Sequence, residues 1–314
     1  MKLTKATKFL LAFIAIFLVV LYWEKAEEKF LSLRTDFAAI ADESNDLKTV
    51  PDLEPVMPEP MKAERQGLTG KVCAVLLFVD DETTCWTEEE ATAFSEKYIQ
   101  PGIAFLQEQA ALYSIDLELS TLLYTSNENR PIYYNGILGG GFTAREEDGR
   151  RLIYPDDTKQ NFDVLEHIAV NWGFDSVTAM YQALLEKSGA EQIRFVVIPN
   201  KGGWSCARTS WNDVQNSFCY IYAKDHLDRE PAETTFPHEF LHLFGAEDLY
   251  VSTEMDGTVL RENRNEMAKK LHNNAIMLGG GLELTEKTVC GYTAYLIGWL
   301  DALPPEYNSE EWFS

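Results

Sequence analysis

The sequence predicts an α+β fold in which helices flank a mixed β-sheet. Its 314 residues, 46% of them hydrophobic, can bury one good-sized core and carry some extra segments. Apolar runs typical of strands alternate with helical patterns, and the alternation leads into an amphipathic helix that begins near residue 235. Elements in this order are expected to form a sheet covered by helices.

Four segments are predicted to be strands. Residues 71–80 (KVCAVLLFVD) form a continuous apolar run, as in a buried strand, and residues 116–124 (DLELSTLLY) alternate apolar with polar positions. Residues 193–199 and 217–224 are the third and fourth predicted strands. The fourth comes just before the helix near residue 235.

Helices are predicted between these strands. Thr87 and Glu90 have the spacing of a capping box, which predicts a helix from there to about Tyr113. Two more helical stretches are predicted near residues 162–172 and 176–187.

The N-terminus has the pattern of an export signal. Lys2, Lys5 and Lys8 precede an unbroken apolar run over residues 9–23, and no small-residue cleavage site follows closely. Residues 1–23 are therefore expected to be an uncleaved signal anchor, with the folded domain outside the cytoplasm. This predicts a single-pass cell-membrane protein that contacts the membrane through this segment. A cleaved signal peptide, and hence a secreted protein, is the alternative.

Residues 24–69 are predicted to be a stalk, because the prolines of VPDLEPVMPEP favour an extended, semi-rigid chain. The folded domain is expected over residues 70–304, with a short C-terminal tail at residues 305–314. The net charge of −23 argues against nucleic acid as a partner, since phosphates would not be neutralised. Calcium binding by the acidic surface is a weaker interpretation that no motif supports.

The segment TFPHEFLHLFGAEDLY (residues 235–250) holds the strongest chemical signal. His238 and His242 are four residues apart, so on a helix both imidazoles can reach one ion. Glu239 lies about a quarter-turn away, where it would contact a water rather than the ion. Gly245 is a natural left-handed stop that would bring Asp248 back towards the metal. The alternative, two polar residues on an ordinary amphipathic helix, leaves the glycine and aspartate at these offsets unexplained.

These residues read HExxHxxGxxD, which resembles the metzincin zinc endopeptidases. An aspartate as the last residue is similar to the snapalysin-type and immune-inhibitor-A-like secreted proteases. The resemblance implies one catalytic zinc ion held by His238, His242 and Asp248, with Glu239 as the general base. It also implies a smaller C-terminal subdomain after the active-site helix. Finally, it implies that the strand before this helix, residues 217–224 here, pairs with extended substrate.

The resemblance also extends to Met277, 277 − 248 = 29 residues after Asp248. Metzincins place a methionine in a tight turn beneath the metal at about this distance. Several of them have a tyrosine two residues later, where this chain has Gly279. Tyr292 or Tyr295 could instead supply such a phenol from elsewhere in the chain.

The remaining histidines and the cysteines are weaker candidates. His167, His226 and His272 lie outside the motif and are not expected to bind the metal. Cysteine occurs at five positions, an odd number, and Cys206 with Cys219 is the best intrachain pair.

The sequence therefore predicts a zinc metalloendopeptidase that hydrolyses protein or peptide substrates outside the cytoplasm. Two alternatives remain open. One is a zinc hydrolase acting on a non-peptide amide, such as a cell-wall bond. The other is a surface binding module that keeps the fold without turnover, against which the intact Glu239 argues.

Overall fold

The computed structural model describes residues 66–126, 132–147, 150–210, 213–253, 259–260, 262–279, 283–309 and 312. All of them belong to one compact unit, Met57–Ser314. The predicted signal anchor and most of the predicted stalk lie outside the described residues.

The described strands, in chain order, are β1 (Gly70–Val79), β2 (Leu117–Thr125), β3 (Phe142–Glu147), β4 (Arg150–Pro155), β5 (Gln192–Pro199), β6 (Cys206–Arg208), β7 (Phe218–Tyr220), β8 (Ser252–Thr253) and β9 (Val259–Leu260). Five of them form a mixed sheet in the order β2-β1-β5-β7-β6. Neighbours in this sheet are parallel except for β6, which runs antiparallel to β7. The pairs β3–β4 and β8–β9 form separate antiparallel ribbons.

The described α-helices are α1 (Glu88–Phe94), α2 (Gln100–Leu112), α3 (Val164–Asn171), α4 (Val177–Ser188), α5 (Thr235–His242), α6 (Glu262–His272) and α7 (Gly291–Leu296). The mixed sheet flanked by helices confirms the predicted α+β class. The capping box of Thr87 and Glu90 is also confirmed, with both of its hydrogen bonds present.

A π-helical turn, Ser95–Ile99, joins α1 to α2 without a break in the helical path. Pro101 follows directly and has no N–H with which to continue the α-helical ladder. The N–H of Gln100 instead donates to the carbonyl of Ser95, five residues earlier. The helix predicted from Thr87 to Tyr113 is therefore present, but with a wider turn in its middle.

The expectation of a single-pass membrane protein is wrong for the described part of the chain. None of the helices there is both long enough and apolar enough to cross a membrane, which takes about 20 consecutive apolar residues. The apolar run of residues 9–23 lies outside the described residues.

The core lies on both faces of the sheet, and β1 contributes to both. Val72 and Leu76 pack with the face that also receives Phe240 of α5, whereas Val75 and Leu77 pack with the face covered by α3 and α4. Because β1 is buried on both sides, it has the continuous apolar sequence of a central parallel strand. Helix α5 thus lies across one face of the sheet, with its apolar side fixed by the core.

Both ends of the described unit are tied into this core. Leu68 is fully buried, and its carbonyl accepts a hydrogen bond from Trp299 Nε1 at 2.7 Å, so the folded part includes residues assigned to the stalk. At the other end, Tyr307 and Trp312 are also fully buried. The segment predicted to be a C-terminal tail therefore contributes side chains to the core.

Cys206 and Cys219 do not form a disulfide. In the β6–β7 register, Cys206 lies opposite Tyr220, and Cys219 lies opposite Ala207. Cys219 packs with one face of the sheet and Cys206 against the core on the other. The pairing suggested by the sequence is wrong because side chains one position out of register point to opposite faces.

Asp81, directly after β1, is a buried structural carboxylate. It forms an ion pair with Lys201 and accepts hydrogen bonds from the backbone N–H groups of Thr83, Thr84 and Leu138. Burial alone would raise its pKa, but the ammonium group and these donors hold the pKa of Asp81 well below its ordinary value of 3.8. The carboxylate thereby joins the end of β1 to two loops.

Replacing Asp81 with asparagine should destabilise the fold by about 3 kcal/mol, because Lys201 loses its buried partner. A carboxyl group with a depressed pKa contributes stability that is present above its ordinary pKa and lost as the pH falls below it. Urea unfolding at about pH 6 and about pH 3 should therefore show a smaller loss of stability on acidification for the variant than for the wild type. Equal losses would contradict this role.

Candidate metal centre

The site is built on α5, whose residues from Phe236 to Leu241 are buried. Pro237 lies in the first turn, where its missing N–H costs little. The helix ends at His242, and the N–H of Gly245 donates to the carbonyl of His242 at 3.0 Å. Gly245 has a φ of +103°, a value that favours glycine. The chain therefore reverses and brings Asp248 back beside the two histidines.

Three donor atoms meet at this point. Asp248 Oδ1 lies 3.2 Å from His238 Nε2 and 3.2 Å from His242 Nε2. In a tetrahedral zinc site with bonds of about 2.0–2.1 Å, neighbouring ligand atoms are roughly 3.3 Å apart. The two distances from Asp248 Oδ1 thus match the separation of ligand atoms in a zinc tetrahedron.

The other ring nitrogens face backbone carbonyls. His242 Nδ1 lies 2.7 Å from the carbonyl oxygen of Ala246, and His238 Nδ1 lies 3.2 Å from that of Ile276. A carbonyl can only accept, so each neutral imidazole carries its proton on Nδ1 and presents a lone pair at Nε2. Backbone contacts of this kind set the tautomer and orientation of metal-binding histidines.

When both imidazoles are neutral, this arrangement brings three electron pairs together. Asp248 Oδ1 is buried and then has no hydrogen-bond donor among the described residues, although it lies close to both Nε2 atoms. Burying such an acceptor is costly unless a cation or a proton neutralises it. Two imidazole nitrogens and one carboxylate oxygen form a ligand set suited to zinc. The residues present therefore fit the metal that the sequence predicts.

The pKa values describe the protein without a metal. Burial would lower the pKa of His242, but Asp248 and Glu239 outweigh this effect and raise it to about 9. Burial opposes ionisation of Asp248, yet the two imidazoles hold the pKa of this carboxyl well below its ordinary value. A proton on His242 would thus relieve the repulsion in the apoprotein, and a metal ion would displace that proton.

Glu239 lies beside the ligands without replacing Asp248 among them. Ligand atoms of Glu239, His238 and His242 all lie within 4.8 Å of one another, so Glu239 is a second carboxylate near the imidazoles. Of the two carboxylates, Asp248 is the one whose 3.2 Å distances to the imidazole nitrogens match the separation of ligand atoms in a zinc site. Glu239 is buried, and this burial raises its pKa. A carboxylate oxygen within 4.8 Å of the imidazole nitrogens is suited to contact a water.

Met277 lies in a short 3₁₀ turn, Ile276–Leu278, and is fully buried. The backbone of this turn contacts the site at two points. The carbonyl of Ile276 faces His238, and the carbonyl of Met277 accepts a hydrogen bond from the N–H of Leu249 at 2.8 Å. The turn therefore supports both α5 and the segment that carries Asp248.

A cavity of about 310 Å³ opens onto the ligands. Its lining includes Glu239, His242 and Asp248, together with Cys206 and Ala207 of β6. The aromatic residues Trp204 and Tyr250 complete the wall.

The strand next to the cavity is not the one that the sequence suggested. β7, within the predicted segment 217–224, pairs with β5 on one side and β6 on the other. Its backbone therefore has no open edge for a substrate. The described five-stranded sheet ends in β2 on one side and in β6, Cys206–Arg208, on the side of the cavity. β6 was not predicted to be a strand from the sequence.

Tyr250 is the functional candidate that sequence analysis missed. Its ring lies nearly parallel to that of His238, with centroids 6.1 Å apart and a 20° interplanar angle. A side chain at Gly279 would meet the Tyr250 ring at 3.4 Å. The Tyr250 ring thus lies against Gly279, the position that corresponds to the tyrosine of several metzincins in the resemblance described above. The spacing of Tyr250 after Asp248 was visible in the sequence, but nothing there indicated the direction of its side chain.

The other candidates lie elsewhere. Tyr292 donates its hydroxyl proton to Glu247 Oε2 at 2.9 Å. The three remaining histidines each pack against an aromatic ring: His167 on Tyr134, His226 on Trp204 and His272 on Tyr307.

Comparison with known proteins adds no relative: no protein-family model, curated protein or solved structure matches this chain.

Proposed function

We propose that this protein is a zinc-dependent endopeptidase of the metzincin type. The observation that supports the proposal best is that one buried oxygen, Asp248 Oδ1, lies 3.2 Å from two imidazole nitrogens. A glutamate in position to act as a base and a strand at the edge of the described sheet lie beside the same cavity.

His238 Nε2, His242 Nε2 and an Asp248 carboxylate oxygen would hold the zinc ion. When bound, zinc supplies Lewis acidity that polarises the scissile carbonyl and lowers the pKa of a water. Glu239 takes a proton from the attacking water and then passes it to the nitrogen of the leaving amine. Its burial keeps the carboxylate from competing hydrogen bonds with bulk water and makes it a stronger base.

The substrate in this proposal is an extended peptide that pairs with β6. β6 is the last strand on its side of the described sheet, and its residues Cys206 and Ala207 line the cavity beside the proposed zinc ligands. Strand addition supplies affinity through main-chain hydrogen bonds, while side-chain pockets determine sequence preference. Trp204 and Tyr250 would form the apolar part of such a pocket.

Metal analysis of the purified full-length protein, together with a peptide-library cleavage assay, tests this proposal. We expect one zinc ion per chain and internal peptide cleavage that stops with a chelator and returns with zinc. Zinc without cleavage of any peptide, but with release of amines from cell-wall fragments, would favour the non-peptide hydrolase. Zinc with neither reaction would favour a binding module, and absence of zinc binding would overturn the proposal.

Tyr250→Phe should lower turnover by about 10²-fold without changing zinc affinity, because the phenol is proposed to donate to the oxyanion that develops on the scissile carbonyl. The phenylalanine ring keeps the packing against His238, so the thermal unfolding midpoint should be unchanged. Steady-state kinetics and chelator competition on the same preparation provide the check. Wild-type turnover would remove Tyr250 from the mechanism.

A further inference from the structure

We propose that helix α6 and the buried Trp312 act together as a clamp that positions the metal ligand Asp248. The α6 clamp, as we use the term, consists of Arg264, Asn265 and Trp312. The role of the clamp depends on the proposed metal site, but its contacts can be tested in metal-free protein. Two adjacent residues of α6 hold the chain on either side of Asp248.

Arg264 holds the residue before the ligand. Its Nη1 lies 2.5 Å from Glu247 Oε2, which also accepts the hydroxyl proton of Tyr292 at 2.9 Å. The guanidinium also lies over the Tyr292 ring, 5.6 Å from its centroid. Glu247 is the carboxylate next to Asp248 in the chain, and these contacts engage it with Arg264 and Tyr292, whereas Asp248 lies 3.2 Å from the imidazole nitrogens.

Asn265 holds the residue after the ligand. Its Nδ2 donates to the carbonyl of Leu249 at 2.8 Å, and Asn265 is 2% exposed. The backbone N–H of Leu249 donates to the carbonyl of Met277 at 2.8 Å. The backbone after Asp248 is therefore fixed in two directions, and buried bonds of this kind are costly to break.

Trp312 fixes the arginine. Its carbonyl accepts a hydrogen bond from Arg264 Nε at 3.0 Å. The Trp312 side chain is fully buried and packs edge-on against Tyr292 and Tyr307, with ring centroids 4.9 and 4.8 Å away. Because Arg264 bonds to Trp312 through Nε and to Glu247 through Nη1, the position of one contact sets the orientation of the other.

The clamp should therefore act on metal affinity. A ligand on a loosely held turn loses more conformational freedom when it binds the ion. Changing residues that orient metal ligands typically weakens metal binding by about 10- to 100-fold. Among the described residues, the hydrogen bonds and ion pairs of these three side chains involve neither β6 nor Glu239.

The test compares Arg264→Met and Asn265→Ala with Lys269→Met in the full-length protein. Lys269 lies on the same helix in an exposed ion pair with Glu266, so its variant controls for charge loss on α6. Hydrogen exchange at the Leu249 amide is measured in metal-free protein, and zinc affinity by competition with a chelator. We expect at least about tenfold faster exchange and 10- to 100-fold weaker zinc binding in both clamp variants, but not in the control.

A second pair of variants separates the clamp from general stability. Trp312→Leu and Trp299→Leu each remove a buried indole, but Trp299 bonds to Leu68 at the other end of the unit. The two variants are compared at an equal loss of thermal stability. Under that condition, Trp312→Leu should speed hydrogen exchange at the Leu249 amide and weaken zinc binding more than Trp299→Leu does. Equal effects, or unchanged exchange in all clamp variants, would overturn the clamp. If wild-type protein bound no zinc, the proposed function would fail, and the exchange data would still decide the clamp.

Discussion

Glu239→Gln should abolish measurable hydrolysis while zinc binding and the fold remain. The amide keeps the shape of the side chain and loses its basicity, so no group is left to take the proton from the attacking water. Loss of a general base typically lowers the rate by about 10²- to 10⁴-fold. The measurement is kcat/KM on a peptide substrate, with zinc content determined on the same sample.

The burial of Glu239 adds a second expectation for this variant. Burial raises the pKa of Glu239, so its charged form is disfavoured in the folded protein. A raised carboxyl pKa means that ionisation at neutral pH costs folding free energy, and a neutral glutamine avoids that cost. Metal-free Glu239→Gln should therefore unfold at the same temperature as the wild type or a higher one. A loss of activity without loss of stability identifies a chemical role.

Glu266→Gln is the matched control, because Glu266 is exposed and pairs only with Lys269 among the described ion pairs. It should leave both kcat/KM and zinc content unchanged. Turnover of Glu239→Gln close to that of the wild type would refute the proposed mechanism, since an amide cannot act as the base.

The parts of this site that depend on local geometry could be predicted from the sequence. A separation of four residues places His238 and His242 on one helix face whatever the rest of the fold. The left-handed position of Gly245 needs only the local chain, and it is present with a φ of +103°. The capping box at Thr87 is equally local. Each depends on residues within one or two turns of each other.

The parts that depend on pairing between distant segments could not be predicted. The sequence indicated a strand near residues 217–224, but only the partners of a strand decide whether it lies at an edge. β6 has three residues and no distinctive alternation, so its position at the edge became visible only in the structure. The strand proposed to pair with substrate is therefore β6 rather than β7.

The directions of the side chains also could not be predicted from the sequence. Tyr250 and the α6 clamp residues Arg264 and Asn265 are ordinary residues in the sequence, and their roles arise from contacts across the fold. Trp312 lies 312 − 264 = 48 positions from the arginine that it bonds. Contacts over such separations follow from core packing, which composition and periodicity do not specify.

Asp248→Ala should lose both zinc and activity, in contrast to Glu247→Ala. The alanine removes one of three donor atoms and leaves two neutral imidazoles, which should weaken zinc binding by roughly 10³-fold or more if each ligand contributes a similar share of the binding free energy. Glu247 is already engaged with Arg264 and Tyr292. Its removal loosens the clamp but leaves every donor in place, so the weakening should stay within about 10- to 100-fold.

Two further substitutions separate charge from geometry at the same position. Asp248→Asn keeps an oxygen of similar reach but loses the negative charge, and Asp248→His supplies the imidazole that most metzincins have there. We expect zinc affinity to fall in the order wild type, Asp248→His, Asp248→Asn, Asp248→Ala, because zinc favours a carboxylate or an imidazole over a neutral amide. Chelator competition at fixed pH measures this order. If Glu247→Ala lost the metal while Asp248→Ala kept it, the third ligand would be Glu247, and the 3.2 Å contacts of Asp248 with both imidazoles would require another explanation.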